Sequence, residues 1–195
     1  MRSFISEAFE NAQKVLDVFI SDEKNFLKIE QIANIIARTF ENGNKVLICG
    51  NGGSNADAIH FGEELTGKFR KSRRALPVIS ISDSSHITCV GNDFGFEYIF
   101  SKGVEAYGKE NDFFIGISTS GNSQNVLKAV QQAKKTSMKT FALLGKTGGK
   151  MKGLCHHELI VHGESTDRIQ EIHMMVLHII IEMIERKLFP ENYTY

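Results

Sequence analysis

Residues 113–123 read FFIGISTSGNS, and this stretch decides the fold. An apolar run from Phe113 to Ile117 stops at Ser118, Thr119, Ser120, Gly121, Asn122 and Ser123, and a helical pattern begins at Gln124. A strand, a hydroxyl-rich turn and a helix start therefore meet at one point. A helix start carries unpaired N–H groups and a partial positive charge, which suits an anion. Hydroxyls add donors without adding charge, so the turn reads as a phosphate cradle for a small phosphorylated ligand.

Outward from it, four more short apolar runs recur: VLIC at 46–49, VISIS at 78–82, TFALL at 140–144 and LIV at 159–161. Helical patterns separate most of them. This alternation predicts an α/β fold with a five-stranded, mostly parallel sheet flanked by helices on both faces. Two amphipathic patterns, 5–21 and 25–42, precede the first strand, with Phe9, Ala12, Leu16 and Phe19 recurring at three and four. Two helices ahead of the sheet predict packing onto the core or onto another subunit. Pro77 opens a strand and Pro190 follows the last helix, both permissive places. With no repeat and no linker, one unit over 1–195 is expected: a helical segment at 1–42, a sheet core at 45–165 and a last helix at 167–188.

Lys and Arg number 23 and Asp and Glu number 23, for zero formal net charge. That balance argues against a general nucleic-acid binder. The one basic cluster, KFRKSRR at 68–74, reads as a solvated loop, with an anionic substrate or a neighbouring subunit as the alternative. Cys49, Cys89 and Cys155 are odd in number and widely spaced, so no disulfide framework is implied and a reducing cytoplasm is expected. The N-terminal residues carry acids and no long apolar run, unlike a secretory signal. The greasiest segment, 174–184, contains His178 and Glu182 and is too short to span a bilayer.

In open parallel sheets ligands bind beyond the carboxyl ends of the strands. There the sequence places Gly50, Asn51, Gly52, Gly53 and Ser54 after the first strand, and GKTGGK at 145–150 after the fourth. GNGGS fits neither the dinucleotide nor the NTPase fingerprint, and GKTGGK has the wrong spacing for a P-loop and reads as a turn. Glycines at the first loop let backbone approach a ligand closely. On the helical pattern after it, His60 and Glu64 are four apart and share one face. Such a pair binds a metal, divides proton-transfer work, or is a plain surface ion pair. The last helix, DRIQEIHMMVLHIIIEMIERKL, carries Gln170, His173 and His178 in a largely apolar context. A histidine there is commonly a satisfied core residue. Gln170 and His178 stand about 12 Å apart along the axis and about 80° around it, so one straight helix brings both to a single point only with long reach. Residues 91–95, GNDFG, read as a polar loop whose Asn92 or Asp93 binds sugar hydroxyls, or as a turn or helix cap.

Together GNGGSNADAIHFGEELTGKF, SDSSHITCVGNDFGFEYIFS, GISTSGNSQNVLKA and DRIQEIHMMVLHIIIEMIE resemble the phosphoheptose isomerase (sedoheptulose 7-phosphate isomerase) family, a branch of the sugar isomerase (SIS) domain proteins. The resemblance runs in order from about residue 4 to residue 186 and leaves the tail 189–195 without an assignment. It implies a single SIS domain with a flavodoxin-like three-layer sandwich. It implies a homotetramer with active sites at subunit contacts. The activity implied is conversion of D-sedoheptulose 7-phosphate to D-glycero-D-manno-heptose 7-phosphate through an enediol, which opens bacterial heptose synthesis. Asn51, Gly52, Gly53, Asn92, Asp93, Ser118, Thr119, Ser120 and Ser123 match substrate contacts of the family. His60, Glu64, Gln170 and His178 match its zinc ligands; Glu64 and Gln170 match substrate contacts as well, and Glu64 and His178 the catalytic base and acid. Two rivals share the fold: an isomerase of another sugar phosphate, and a non-catalytic SIS protein acting as sensor or replication-associated relative. The four polar positions and the short chain favour the heptose phosphate reading.

Overall fold

The structure is a computed structural model that describes residues 1–194; Tyr195, the end of the tail, lies outside the described residues. Two amphipathic helices, α1 (Arg2–Ile20) and α2 (Glu23–Glu41), come first. Asp22 separates them, its carboxylate accepting from the Lys24 N–H at the start of α2. Then strands and helices alternate: β1 (Val46–Gly50), α3 (Gly53–Thr66), β2 (Val78–Ser80), α4 (Ser84–Asp93), α5 (Ile99–Tyr107), β3 (Phe113–Ser118), α6 (Gln124–Lys135), β4 (Lys139–Gly145), β5 (His157–Val161) and α7 (Thr166–Leu188). All four strand pairings are parallel, and the order β2-β1-β3-β4-β5 is that of flavodoxin-like sheets.

The apolar runs are continuous, not alternating, because both faces of the sheet are covered. One face packs Ile48, Ile115, Ile117, Phe141 and Leu143 against α2, α3 and α7. The other packs Leu47, Cys49, Phe114, Ala142 and Leu144 against α5 and α6. β5 is longer than its apolar run because its first residues, His157 and Glu158, are half-buried on the sheet edge. β2 is shorter than the run VISIS: the Ile81 N–H still donates to the Ile48 carbonyl of β1, and Ser82 then leads to the Asp83 cap of α4. The expected loop over 91–95 is corrected: α4 runs through Gly91 and ends at Asp93, so Asn92 and Asp93 are its last turn. Among the described residues no helix is long and apolar enough to cross a membrane.

α3, α6 and α7 follow β1, β3 and β5, so all three start at the carboxyl edge of the sheet. That shared edge is where the loop candidates at 51–53 and 118–123 collect, with Gln170 in the second turn of α7.

Candidate active site

The hydroxyl loop is built by β3 and α6. Ser118 closes β3, and its Oγ accepts from the Gly121 N–H at 3.1 Å. Gly121 has φ +63°, and a side chain there would strike the Gly148 carbonyl, so only glycine makes this turn. The Ser123 hydroxyl sits 3.1 Å from the Ser118 hydroxyl and makes no capping bond to α6. The first N–H groups of α6 are thus left for a ligand, save that of Val126, which donates to the Asn125 carboxamide. The Ser120 hydroxyl accepts from the Asn122 N–H, and Thr119 stands half-buried beside it. Residues 145–150 are not a free turn. Lys150 N–H donates to Asn122 Oδ1 and Met151 N–H to the Gly121 carbonyl, so this segment buttresses the hydroxyl loop.

The glycine loop after β1 is tied to the same place. Asn51 and Asn125 exchange two carboxamide hydrogen bonds at 2.8 and 2.9 Å, joining the β1 loop to the start of α6. Gly52, exposed, has φ +55° and caps α3. Gly53 begins α3 directly under the Gln170 amide, which also reaches Ser54 Oγ at 3.4 Å.

From that point α3 and α7 run side by side in the same direction. Gln170 meets Gly53 and Ser54 at one level, and His178 meets His60 further along. The 12 Å separation expected for Gln170 and His178 is therefore matched by the rise of α3, within one chain. His60 and His178 rings meet edge to face with centroids 5.0 Å apart. His60 Nε2 lies 3.3 Å from Glu64 Oε1. Ligand atoms of His60, Glu64 and His178 all fall within 4.8 Å of one another. Two imidazoles and a carboxylate are the donors of zinc sites, and with bonds of about 2.0–2.1 Å tetrahedral neighbours stand about 3.3 Å apart. The His60–Glu64 spacing already meets that, so the residues fit a divalent metal. Gln170 makes no hydrogen bond to these three among the described residues.

His178 is half-buried, and that burial with the facing His60 ring holds its pKa below the ordinary histidine value, against the opposing pull of Glu64. His173, one turn before it on the buried side of α7, belongs to the core. Its Nε2 is 2.9 Å from the Leu144 carbonyl, and burial pushes its pKa down to about 4.

Asn92 and Asp93 make no hydrogen bond to this group among the described residues. Both are exposed on α4, where Asn92 Nδ2 donates to Asp93 Oδ1 and Cys89 Sγ lies 3.5 Å from the Asp93 carboxylate.

Four features escaped the sequence. Asp57, one turn before His60, has a buried carboxylate oxygen without a partner among the described residues, and burial raises its pKa to about 6, with His60 pulling the other way. Asn125 pairs with Asn51. Phe69 stacks on the His178 ring at 5.8 Å. The fourth refines a reading: the cluster at 68–74 is a largely exposed loop, as expected, but two of its cations are paired. Arg70 pairs with Glu182, and Arg73 is buried against Glu185, so the segment is fastened to α7. The alternation of Phe69 with cations, and two glutamates spaced on a greasy helix, was the available signal.

The sequence profile of the SIS domain matches residues 9–145. A phosphoheptose isomerase of Fusobacterium nucleatum is 63% identical over 187 residues, covering 96% of either chain. The chain belongs to the phosphoheptose isomerases of the SIS domain family. A phosphoheptose isomerase of Vibrio cholerae is 52% identical over 189 residues, covering 96% of this chain and 97% of that one. Among solved structures, a phosphoheptose isomerase from Francisella tularensis superposes with a TM-score of 0.90 at 36% identity, covering 94% of this chain and 97% of that chain. One from Neisseria gonorrhoeae gives 0.87 at 35%, covering 94% and 98%. Within the phosphoheptose isomerase fold, then, the hydroxyl loop lies at the carboxyl edge of the sheet, and the His60, Glu64 and His178 group lies further along α3 and α7.

Proposed function

We propose that this chain isomerises D-sedoheptulose 7-phosphate to D-glycero-D-manno-heptose 7-phosphate. The supporting observation is that one chain carries both an uncharged anion cradle, at the carboxyl edge of the sheet, and a group of one carboxylate and two imidazoles further along α3 and α7. An anion cradle alone suits a sensor; a carboxylate and imidazole facing each other supply a base and an acid.

In this reading Ser118, Thr119, Ser120, Ser123 and the N-terminus of α6 hold the phosphate. Asn51, Gly52, Gly53 and Gln170 position the sugar, and Asn92 and Asp93 complete its contacts. Phosphate binding far from the reacting carbons holds the substrate in line. Glu64 takes a proton from C1 of the ketose, leaving a cis-enediol, and returns one to C2. His178 moves the accompanying proton from O1 to O2. Its depressed pKa keeps the ring neutral near pH 7, with one nitrogen to donate and one to accept. Zinc held by His60, Glu64 and His178, with Gln170 as the fourth residue of the family set, would polarise the sugar oxygens, with ligation and proton transfer alternating at Glu64 and His178 during turnover.

We extend the proposal to a homotetramer in the cytoplasm. Phe4 and Phe9 on α1 are 72% and 74% exposed, and a 310 Å³ apolar groove between α1, α2 and α7 is lined by Phe26, Met175 and Ile179. Such a face calls for a covering partner. A second copy would also enclose a site that lies open on one chain. Light scattering should give four times the 21.8 kDa chain mass.

The deciding experiment is turnover of sedoheptulose 7-phosphate in a coupled assay, with zinc supplied. Native protein should be active, and Glu64→Gln should lose about 100-fold or more in kcat while still binding substrate. Inactive native protein would sink the substrate assignment; near-native turnover by Glu64→Gln would sink its role as base.

A further inference from the structure

Glu64 sits in the last turn of α3, the part of a helix whose carbonyls lack intrahelical partners and which frays most easily. The structure caps that turn with a side chain from outside the helix. Arg73 Nη2 donates to the Glu64 carbonyl at 2.6 Å, and Nη1 donates to the Leu65 and Gly67 carbonyls at 2.8 Å each. The remaining arm, Nε, donates to Glu185 Oε1 of α7 at 2.7 Å. Both side chains are 1% exposed. The second Glu185 oxygen accepts from the Tyr193 phenol at 2.8 Å. So the tail, which the sequence left without a role, closes the network.

We propose that Arg73 is a positioning residue for Glu64, with Glu185 and Tyr193 as its anchor, and that this clamp sets the Glu64 carboxylate against His178. Glu185 lies two turns beyond His178 on the same continuous helix, about 10 Å along the axis. α7 therefore carries the acid at one level and, at another, the carboxylate that fixes the backbone of the base. Only a guanidinium spans these acceptors: its planar fork reaches several carbonyls and a carboxylate at once, whereas an ammonium on a flexible stem serves one or two. The phosphate cradle is on β3 and α6, outside the clamp, so loosening it leaves substrate capture intact.

The inference rests on Glu64 being the base, and the experiment separates the two. Arg73→Lys keeps the buried charge pair with Glu185 but not the span to α3. It should lower kcat about 10-fold with KM changed less than twofold. Tyr193→Phe, a milder change, should lower kcat about twofold to threefold in the same pattern. In a Glu64→Gln background Arg73→Lys should cost nothing further, because there is no carboxylate left to aim. Thermal unfolding establishes that each variant is folded at the assay temperature; if Arg73→Lys is not, Tyr193→Phe decides. Folded variants with native kcat, a rise in KM alone, or the same loss repeated on the Glu64→Gln background would each overturn the positioning role. Near-native turnover by Glu64→Gln alone would instead overturn the base assignment.

Discussion

The imidazoles of His60 on α3 and His178 on α7 meet edge to face at 5.0 Å, with Glu64 closing the group. Each helix leaves the carboxyl edge of the sheet after a different strand, and their parallel course brings together residues more than a hundred positions apart. Among the described residues neither ring has a hydrogen-bond partner other than the Glu64 carboxylate near His60, although Phe69 stacks on the His178 ring. A metal would restrain both rings.

Chelation followed by dialysis should abolish isomerase activity, and zinc should restore it. His60→Gln should lower bound zinc measured by atomic absorption as well as activity. Full turnover by metal-free protein would leave the three residues with proton transfer alone.

Ser123 is the hydroxyl that declines to cap its own helix and turns to Ser118 instead. Ser123→Ala should raise KM about 10-fold, the effect of one hydrogen bond of about 1.4 kcal/mol to a charged group. Inorganic phosphate should weaken as a competitive inhibitor by the same factor, since the cradle acts on the phosphate and not on the carbons. A fall in kcat with unchanged KM would place Ser123 at the reacting end.

The strands were legible because burial on both faces leaves no room for polar alternation, as in FFIGI and TFALL. The hydroxyl loop and the His60–Glu64 pair were legible because each is local in sequence. What was hidden depended on pairing between distant segments. Arg73 looked solvated because composition alone cannot place its partner Glu185, 112 residues away. The Gln170–His178 separation was legible and stands in the structure: Gln170 meets Gly53 and Ser54, and His178 meets His60 further along α3. Asn92 and Asp93 looked like loop residues between two glycines, yet Asp83 caps α4 far enough upstream for the helix to absorb Gly91.

Gly53 lies beneath the Gln170 amide so closely that an added Cβ would stand 2.5 to 2.7 Å from its atoms. As the first residue of α3 it has no need of glycine for helix formation, and alanine is the better helix former. Gly53→Ala should therefore leave thermal stability within about 1 kcal/mol while displacing Gln170 and lowering kcat/KM about 10-fold. Adding Gly53→Ala to Gln170→Ala should then cost little, because the displaced group is already gone. Equal losses in both backgrounds would mean that Gly53 acts through its own backbone on the substrate.

His173 ties the stability of the fold to pH. Its Nδ1 is buried without a partner among the described residues, and burial lowers its pKa from the ordinary 6.5 to about 4. The unfolded chain therefore binds a proton more readily than the folded one. Stability from keeping the ring neutral is fully present above pH 6.5 and is lost as pH falls from there through about 4, amounting to on the order of 3 kcal/mol. Half-buried His178 contributes in the same direction, so native protein alone does not isolate the effect. His173→Leu keeps an apolar body in the core and removes the titration. Denaturant unfolding at pH 7.5 and pH 5 should show native protein losing more stability between the two than the variant, although the variant starts lower for want of the Leu144 hydrogen bond. Parallel pH profiles for the two proteins would show that the folded core accepts the proton at His173 without strain.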